Sequence, residues 1–148
     1  MASIISVDNI RATGTSTNAI TIDSSNNLGD ITMNGEGGTN TLSVRQGVAK
    51  GWLSFNGTGT IAARDSLNHS SLTDNGTGDY TITHTNSMDN TDYVRDCYSS
   101  LDDTKGTSRT YNPEFFSIAA GSTGLATYSL SNYEDHANIE CTFYGDLA

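Results

Sequence analysis

Hydrolytic chemistry can be spelled from this chain in two ways. Three histidines (His69, His84 and His136) accompany 18 serines and many aspartates, so every residue type of a Ser-His-Asp set is present. A nucleophilic serine needs a strained, exposed turn to present its hydroxyl, and no Gly-x-Ser-x-Gly elbow occurs. Chance alone supplies such a set in a chain this rich in serine. Carboxylates offer a second route, glycoside hydrolysis. Asp89, Asp92 and Asp96 cluster, as do Asp102 with Asp103 and Glu134 with Asp135. That reaction needs two carboxyls about 5 to 10 Å apart in a cleft. Solvated acidic loops that keep a particle soluble are the simpler reading. No catalytic residue is expected.

Metal and cofactor chemistry have less to stand on. The histidines are 15 and 52 residues apart, so no local ligand pair is built in. Cys97 and Cys141 stand 44 apart without a Cys-x-x-Cys or a neighbouring histidine, which is not zinc spacing. They read as reduced, partly buried thiols, with a bridge between them left open. Asp74-Asn75-Gly76-Thr77-Gly78-Asp79 is acidic and glycine-rich like a calcium loop. It lacks the spaced aspartates and closing glutamate of an EF-hand, and a tight hairpin turn explains it better. Neither metal nor cofactor is expected.

Binding is the remaining chemistry. Tyr98, Tyr111, Phe115, Phe116, Tyr128 and Tyr133 could form core, subunit interface or a stacking platform for a sugar. Phe115 and Phe116 are expected in the core. Tyr111 lies in a stretch from Ser99 to Glu114 without strand pattern, beside Asp102, Asp103 and Arg109, and its two readings stay open. Tyr98, Asp102, Asp103, Arg109 and Tyr111 are the candidate contacts to an outside partner.

The elements that must hold these residues are strands. Apolar and polar residues alternate in Asn18–Ile22, Thr41–Val44, Asp79–Thr83 and Asn138–Phe143, and turn clusters separate them. No long stretch carries a helical stripe. An all-β fold follows. Strands are expected over Val48–Asn56, Thr60–Leu72, Asp79–Thr85, Thr91–Tyr98, Leu125–Ser131 and Ala137–Tyr144, forming an antiparallel β-sandwich or jelly-roll-like knob over 48–148.

Composition divides the chain. All 12 aromatic residues lie between Trp52 and Tyr144. Residues 1–47 therefore form a separate short-strand segment that cannot build a core alone. Its triplets Ile20-Thr21-Ile22, Ile31-Thr32-Met33 and Leu42-Ser43-Val44 recur every 11 residues. A plain meander and an intertwined trimeric β arrangement fit that spacing alike.

Charge removes further classes. Seven Lys and Arg against 17 Asp and Glu leave a net charge of -10, so no concentrated basic surface can meet nucleic-acid phosphates. No apolar run approaches the ~20 residues of a membrane-spanning helix, and membrane insertion is not expected. The start, Met1 to Val7, has neither a basic region nor a long apolar one, so no secretory signal is expected.

A longer match then enters. Ala49-Lys50-Gly51-Trp52-Leu53-Ser54-Phe55-Asn56-Gly57-Thr58-Gly59-Thr60-Ile61-Ala62-Ala63-Arg64-Asp65-Ser66-Leu67-Asn68 resembles a block in bacteriophage tail-fibre and virion structural proteins, especially those of marine and cyanobacterial phages. The resemblance continues through Ser70 to Ile82, which includes Asn75, Gly76 and Tyr80, and in the closing Ala137 to Asp146. It implies core or turn roles for Trp52, Phe55, Asn56, Gly57, Asn75, Gly76 and Tyr80.

It also implies a structural, non-enzymatic protein assembled as a homotrimer. Such a protein would be made in the bacterial cytoplasm, carried on the virion and joined to other tail or capsid proteins. It is expected to contribute to recognition of a host-surface glycan or protein. A capsid decoration (cement) or head-fibre protein is the alternative. A carbohydrate-active tail enzyme using the aspartate pairs is more distant.

Overall fold

The computed structural model describes residues 42–101, 113–130 and 132–148 in full, with the backbone of short strands at 9–11, 18–21, 32–34, 41–43 and 110–111. The chain divides into two units, Met1–Val48 and Ala49–Ala148.

In the first unit, β1 (Asn9–Arg11) pairs antiparallel with β2 (Asn18–Thr21), and β3 (Thr32–Asn34) pairs with β4 (Thr41–Ser43). A single helical turn, α1 (Val44–Gly47), follows. The three triplets touch β2, β3 and β4, yet β2 pairs back on β1 and not on β3. The described strands thus form two separate two-stranded sheets, which is not the continuous meander that the spacing allows. Isolated hairpins of this size are marginal in water.

The second unit is an all-β sandwich. Its strands are β5 (Gly51–Asn56), β6 (Ala62–Leu67), β7 (His69–Gly76), β8 (Asp79–His84), β9 (Val94–Ser100), β10 (Thr110–Tyr111), β11 (Glu114–Phe116), β12 (Ser122–Ala126), β13 (Tyr128–Ser129), β14 (Asn132–Tyr133) and β15 (Asn138–Tyr144). One sheet runs β10-β9-β15-β5-β6 and the facing one β11-β12-β8-β7, all antiparallel. The last strand, β15, is threaded between β5 and β9. A small hairpin, β13 with β14, stands apart from both sheets.

Alternation builds the core. Leu53 and Phe55 on β5, Tyr80 and Ile82 on β8, and Ile139, Cys141 and Phe143 on β15 all point between the sheets. Leu125 of β12, Met88 and Tyr93 complete the cluster. Its rings meet edge to face, Phe55 with Tyr80 at 5.2 Å and His84 with Phe143 at 4.8 Å, as ring quadrupoles favour. The edge strands β6 and β7 are mostly exposed. On β6 the charges of Arg64 and Asp65 discourage further pairing.

Four expectations are corrected by this arrangement. The run Thr60–Leu72 is two strands in two different sheets. Asn68 makes the break with φ 56°, a left-handed conformation that asparagine tolerates. Its side chain also clamps the facing segment: Oδ1 accepts from Asn86 N at 2.7 Å, and Nδ2 donates to Asn86 O at 3.0 Å.

The hairpin of residues 74–79 is present, but its two-residue loop is Thr77-Gly78 and not Asn75-Gly76. Gly76 (φ 141°) and Gly78 (φ 65°) carry the positive angles, while Asn75 Nδ2 reaches forward to Asp79 Oδ1 and Thr81 Oγ1.

Leu125–Ser131 is likewise two elements, and its first strand begins earlier, at Ser122. Gly124 belongs to that strand because a Cβ there would sit 2.7 Å from the Phe116 ring. The patternless stretch Ser99–Glu114 contains the short strand β10, the end of β9 and the start of β11. Strands of two or three residues are too brief to show alternation.

Candidate functional site: the outer face of the five-stranded sheet

Residues of opposite phase to the core line the other side of the same sheet. Register fixes their rows. Leu67, Trp52, Thr142 and Asp96 stand side by side across β6, β5, β15 and β9. Asp65, Ser54, Glu140 and Tyr98 form the next row, and Tyr144 opposes Val94 beyond the first. The result is a broad sheet face that mixes large apolar groups with three carboxylates. Val94 is 63% exposed, Leu67 48% and Tyr98 46%; Trp52 is half-buried. Arg64 spans the far end, donating from Nη1 to Asn138 Oδ1 at 2.7 Å and from Nη2 to Ala137 O at 2.8 Å.

Trp52, for which the resemblance implies a core or turn role, is on this outer face instead. The signal was present in the sequence: Leu53 and Phe55 share one phase of β5, and Trp52 has the other. Tyr98 is the one fully described candidate contact that lies here. Tyr111 is in β10, paired through its backbone with Ser99. Asp102, Asp103 and Arg109 lie outside the described residues.

The remaining block residues serve structure. Phe55 and Tyr80 are fully buried. Asn56 Oδ1 accepts from Thr58 N and Thr58 Oγ1, holding the turn after β5. Gly57 packs so tightly that a Cβ would lie 2.5 Å from the Tyr80 hydroxyl and 2.9 Å from His136 O. Asp135 gathers this junction, accepting from Gly78 N at 2.7 Å and from the Tyr80 hydroxyl at 2.9 Å. Burial, with Asp135 as neighbour, pushes the Tyr80 phenol well above its usual range. These contacts tie β8 to the turn after β5 and to the segment leading into β15.

Among the described residues the candidate aromatics do not all converge on one platform. Phe115 packs into the core against Phe143 at 6.1 Å, as expected; Phe116, expected there too, has the other phase of β11 and instead covers Gly124 outside the core cluster. Tyr128 and Tyr133 pair across the small hairpin with ring centres 4.9 Å apart, and the Tyr128 hydroxyl donates to Glu114 Oε2. Leu130 at the hairpin's bend is 79% exposed with φ 58°.

The three histidines all belong to the sandwich unit. His69 and His84 oppose each other on β7 and β8, and the His136 Nδ1 lies 2.9 Å from Ser99 Oγ inside the sandwich. Burial lowers the pKa of all three imidazoles, His84 and His136 being buried and His69 half-buried. A cavity of about 340 Å³ between the sheets' edges is lined by Lys50, Leu67, Asn68, Asn86 and Leu147 among others, with no carboxylate. No three His, Cys, Asp or Glu side chains come together as a metal site among the described residues. No helix among them is long and apolar enough to cross a membrane. Comparison with protein-family models, curated proteins and solved structures finds no match to this chain.

Proposed function

We propose that the chain is a structural, non-enzymatic virion protein of the phage tail-fibre type, working as a homotrimer exposed on the particle. The observation that carries this reading is the outer sheet face. It carries four exposed large hydrophobic residues, Val94, Leu67, Tyr98 and Tyr144, with half-buried Trp52 among them, the composition of a surface that takes a partner. The carboxylates of Asp65, Asp96 and Glu140 keep that face soluble until a partner covers it.

A second copy of the same chain is the partner that needs no further assumption. The aromatic-free first unit supports the same conclusion, because two short hairpins cannot bury enough surface alone. The sequence blocks over 49–68 and 70–82 supply the virion context. In that context the partners are other tail or capsid proteins on one side and a host-surface glycan or protein on the other.

Mass measurement by light scattering tests the assembly. Three copies of the 15.7 kDa chain are expected in the particle at micromolar concentration, and a stable folded monomer overturns the proposal. Labelled antibody viewed on virions by electron microscopy then separates tail from head. Label on the capsid lattice favours a decoration or head-fibre role.

A further inference from the structure

We propose that Cys97 and Cys141 form a redox lock, a disulfide that joins β9 to β15 under a disulfide oxidant and reopens under a thiol reductant. The two residues stand directly opposite each other in antiparallel register. Both are free thiols, and their sulfurs lie 3.0 Å apart. Directly opposed residues on antiparallel strands hold their Cα atoms about 4.5 to 5.5 Å apart, inside the range of roughly 4.4 to 6.8 Å that a disulfide spans. Closing the bond therefore moves two side chains and leaves the strands in place. β15 is central in its sheet, so the bond fastens the strand on which the sandwich closes.

The two thiols differ in access. Cys141 is buried against the core, while Cys97 is half-buried at its margin. Burial pushes the Cys141 thiol far up, and the adjacent Cys97 sulfur, Asp96 and Glu140 push the same way. Reaction thus begins at Cys97, since the thiolate is the nucleophile. The Cys97 thiolate attacks one sulfur of a small-molecule disulfide such as glutathione disulfide. That reagent's S–S bond breaks, one of its halves leaves as thiolate, and a mixed disulfide remains on Cys97.

Cys141 then gives its proton to the departed thiolate, and its sulfur attacks the Cys97 sulfur. The second half leaves and takes up the proton that Cys97 released at the start. Two protein thiols lose two electrons and two protons, and the reagent gains both as two thiols. A chain made in a reducing cytoplasm and later exposed to an oxidising medium would gain the lock after it has folded.

The test uses the purified full chain, equilibrated with glutathione disulfide and then treated with N-ethylmaleimide. Trypsin cuts after Arg95, Lys105 and Arg109, which puts Cys97 in fragment 96–105 and Cys141 in fragment 110–148. The expected product is these two fragments joined, two hydrogens lighter than their sum, from a chain that still migrates as a single copy on a non-reducing gel. Tm should rise by on the order of 10 °C and return on adding dithiothreitol.

Cys97→Ser should abolish the rise; because Cys97 is half-buried, this variant keeps the core filled. Thiols that still take up N-ethylmaleimide after equilibration would overturn the proposal. So would bonding only between copies, or an equal Tm rise in the Cys97→Ser variant.

Discussion

The two faces of the five-stranded sheet carry similar side chains to opposite ends. Inward, Leu53, Phe55, Ile139, Cys141 and Phe143 are each almost completely removed from water. Outward, on the same strands or their neighbours, Trp52, Leu67, Val94, Tyr98 and Tyr144 remain accessible among Asp65, Asp96 and Glu140. Successive residues of a strand fall on opposite sides, so fold and surface are written on alternate positions. The inner set is covered by the chain's own second sheet. The outer set has no such cover within the unit, and its carboxylates would be costly to bury unpaired. Stability and assembly should therefore be separable by mutation, one residue apart in sequence.

The largest effect is expected on the inner face. Phe143 stacks edge to face with His84, Phe115 and Tyr93. Phe143→Ala removes that ring from a filled core and should cost about 3 to 5 kcal/mol. Thermal unfolding followed by circular dichroism reads it as a fall in Tm well beyond 10 °C, on the scale of a domain this size. A fall of only a degree or two would mean that the sheets are not packed against each other as described.

Acid should act on the same face, and more gently. The imidazoles of His69, His84 and His136 have their pKa lowered by burial, so the folded chain holds them neutral below the usual 6.5. In that window the unfolded chain binds more protons, and stability rises with pH. Tm should be level above about pH 7 and fall as pH drops through about 6.5. His84→Gln should shallow that fall, because it removes the imidazole that packs on Phe143 and Tyr93. An unchanged Tm down to about pH 5 would show that the imidazoles take up protons without disturbing the core.

Breaking the outer face should leave the fold alone. Val94→Glu adds a fourth carboxylate to a face that already has three. As an exposed substitution it should move the unfolding free energy of the sandwich by about 0.5 kcal/mol or less. It should nevertheless reduce the sedimenting species to a single copy, because a buried unpaired charge opposes association. If the variant still sediments with the parent protein, the assembly surface lies elsewhere, and the contrast between faces is only a property of the monomer.

The inner face was readable from the sequence and the outer one only in part. Leu53 with Phe55, Tyr80 with Ile82, and Ile139 with Cys141 and Phe143 occur at every second residue, so β5, β8 and β15 announce themselves. Asn68 does not. One residue in a left-handed conformation sends the chain from one sheet to the other, and the local pattern continues across it unchanged. Gly124 lies in a strand although glycine is rare there, and nothing near it in sequence reveals that Phe116 must lie over it.

The outer face needs the register of four strands before its residues become neighbours, and no single segment contains that information. Tyr98 is legible in sequence only as one aromatic among several candidates for stacking, and its exposure is a property of the fold. Val94 and Leu67 are ordinary strand residues until the rows align. The opposition of Cys97 and Cys141 has the same origin, since 44 residues of chain separate two atoms that end 3.0 Å apart.

The smallest expected effect concerns a residue that violates both local rules at once. Leu130 is exposed, and it adopts φ 58°, a region that disfavours branched and bulky side chains. Nothing in the fold of the sandwich requires leucine there. Asparagine accepts the left-handed conformation more readily, and it removes an apolar group from water. Leu130→Asn should therefore raise stability by about 0.5 to 1 kcal/mol, a shift in Tm of a few degrees. Such a gain would mark leucine as kept for contact with something outside the unit, extending the logic of the outer sheet face to the β13–β14 hairpin. A loss of stability would instead mean that the leucine packs against its own chain, and the hairpin would then belong with the core and not with the exposed surface.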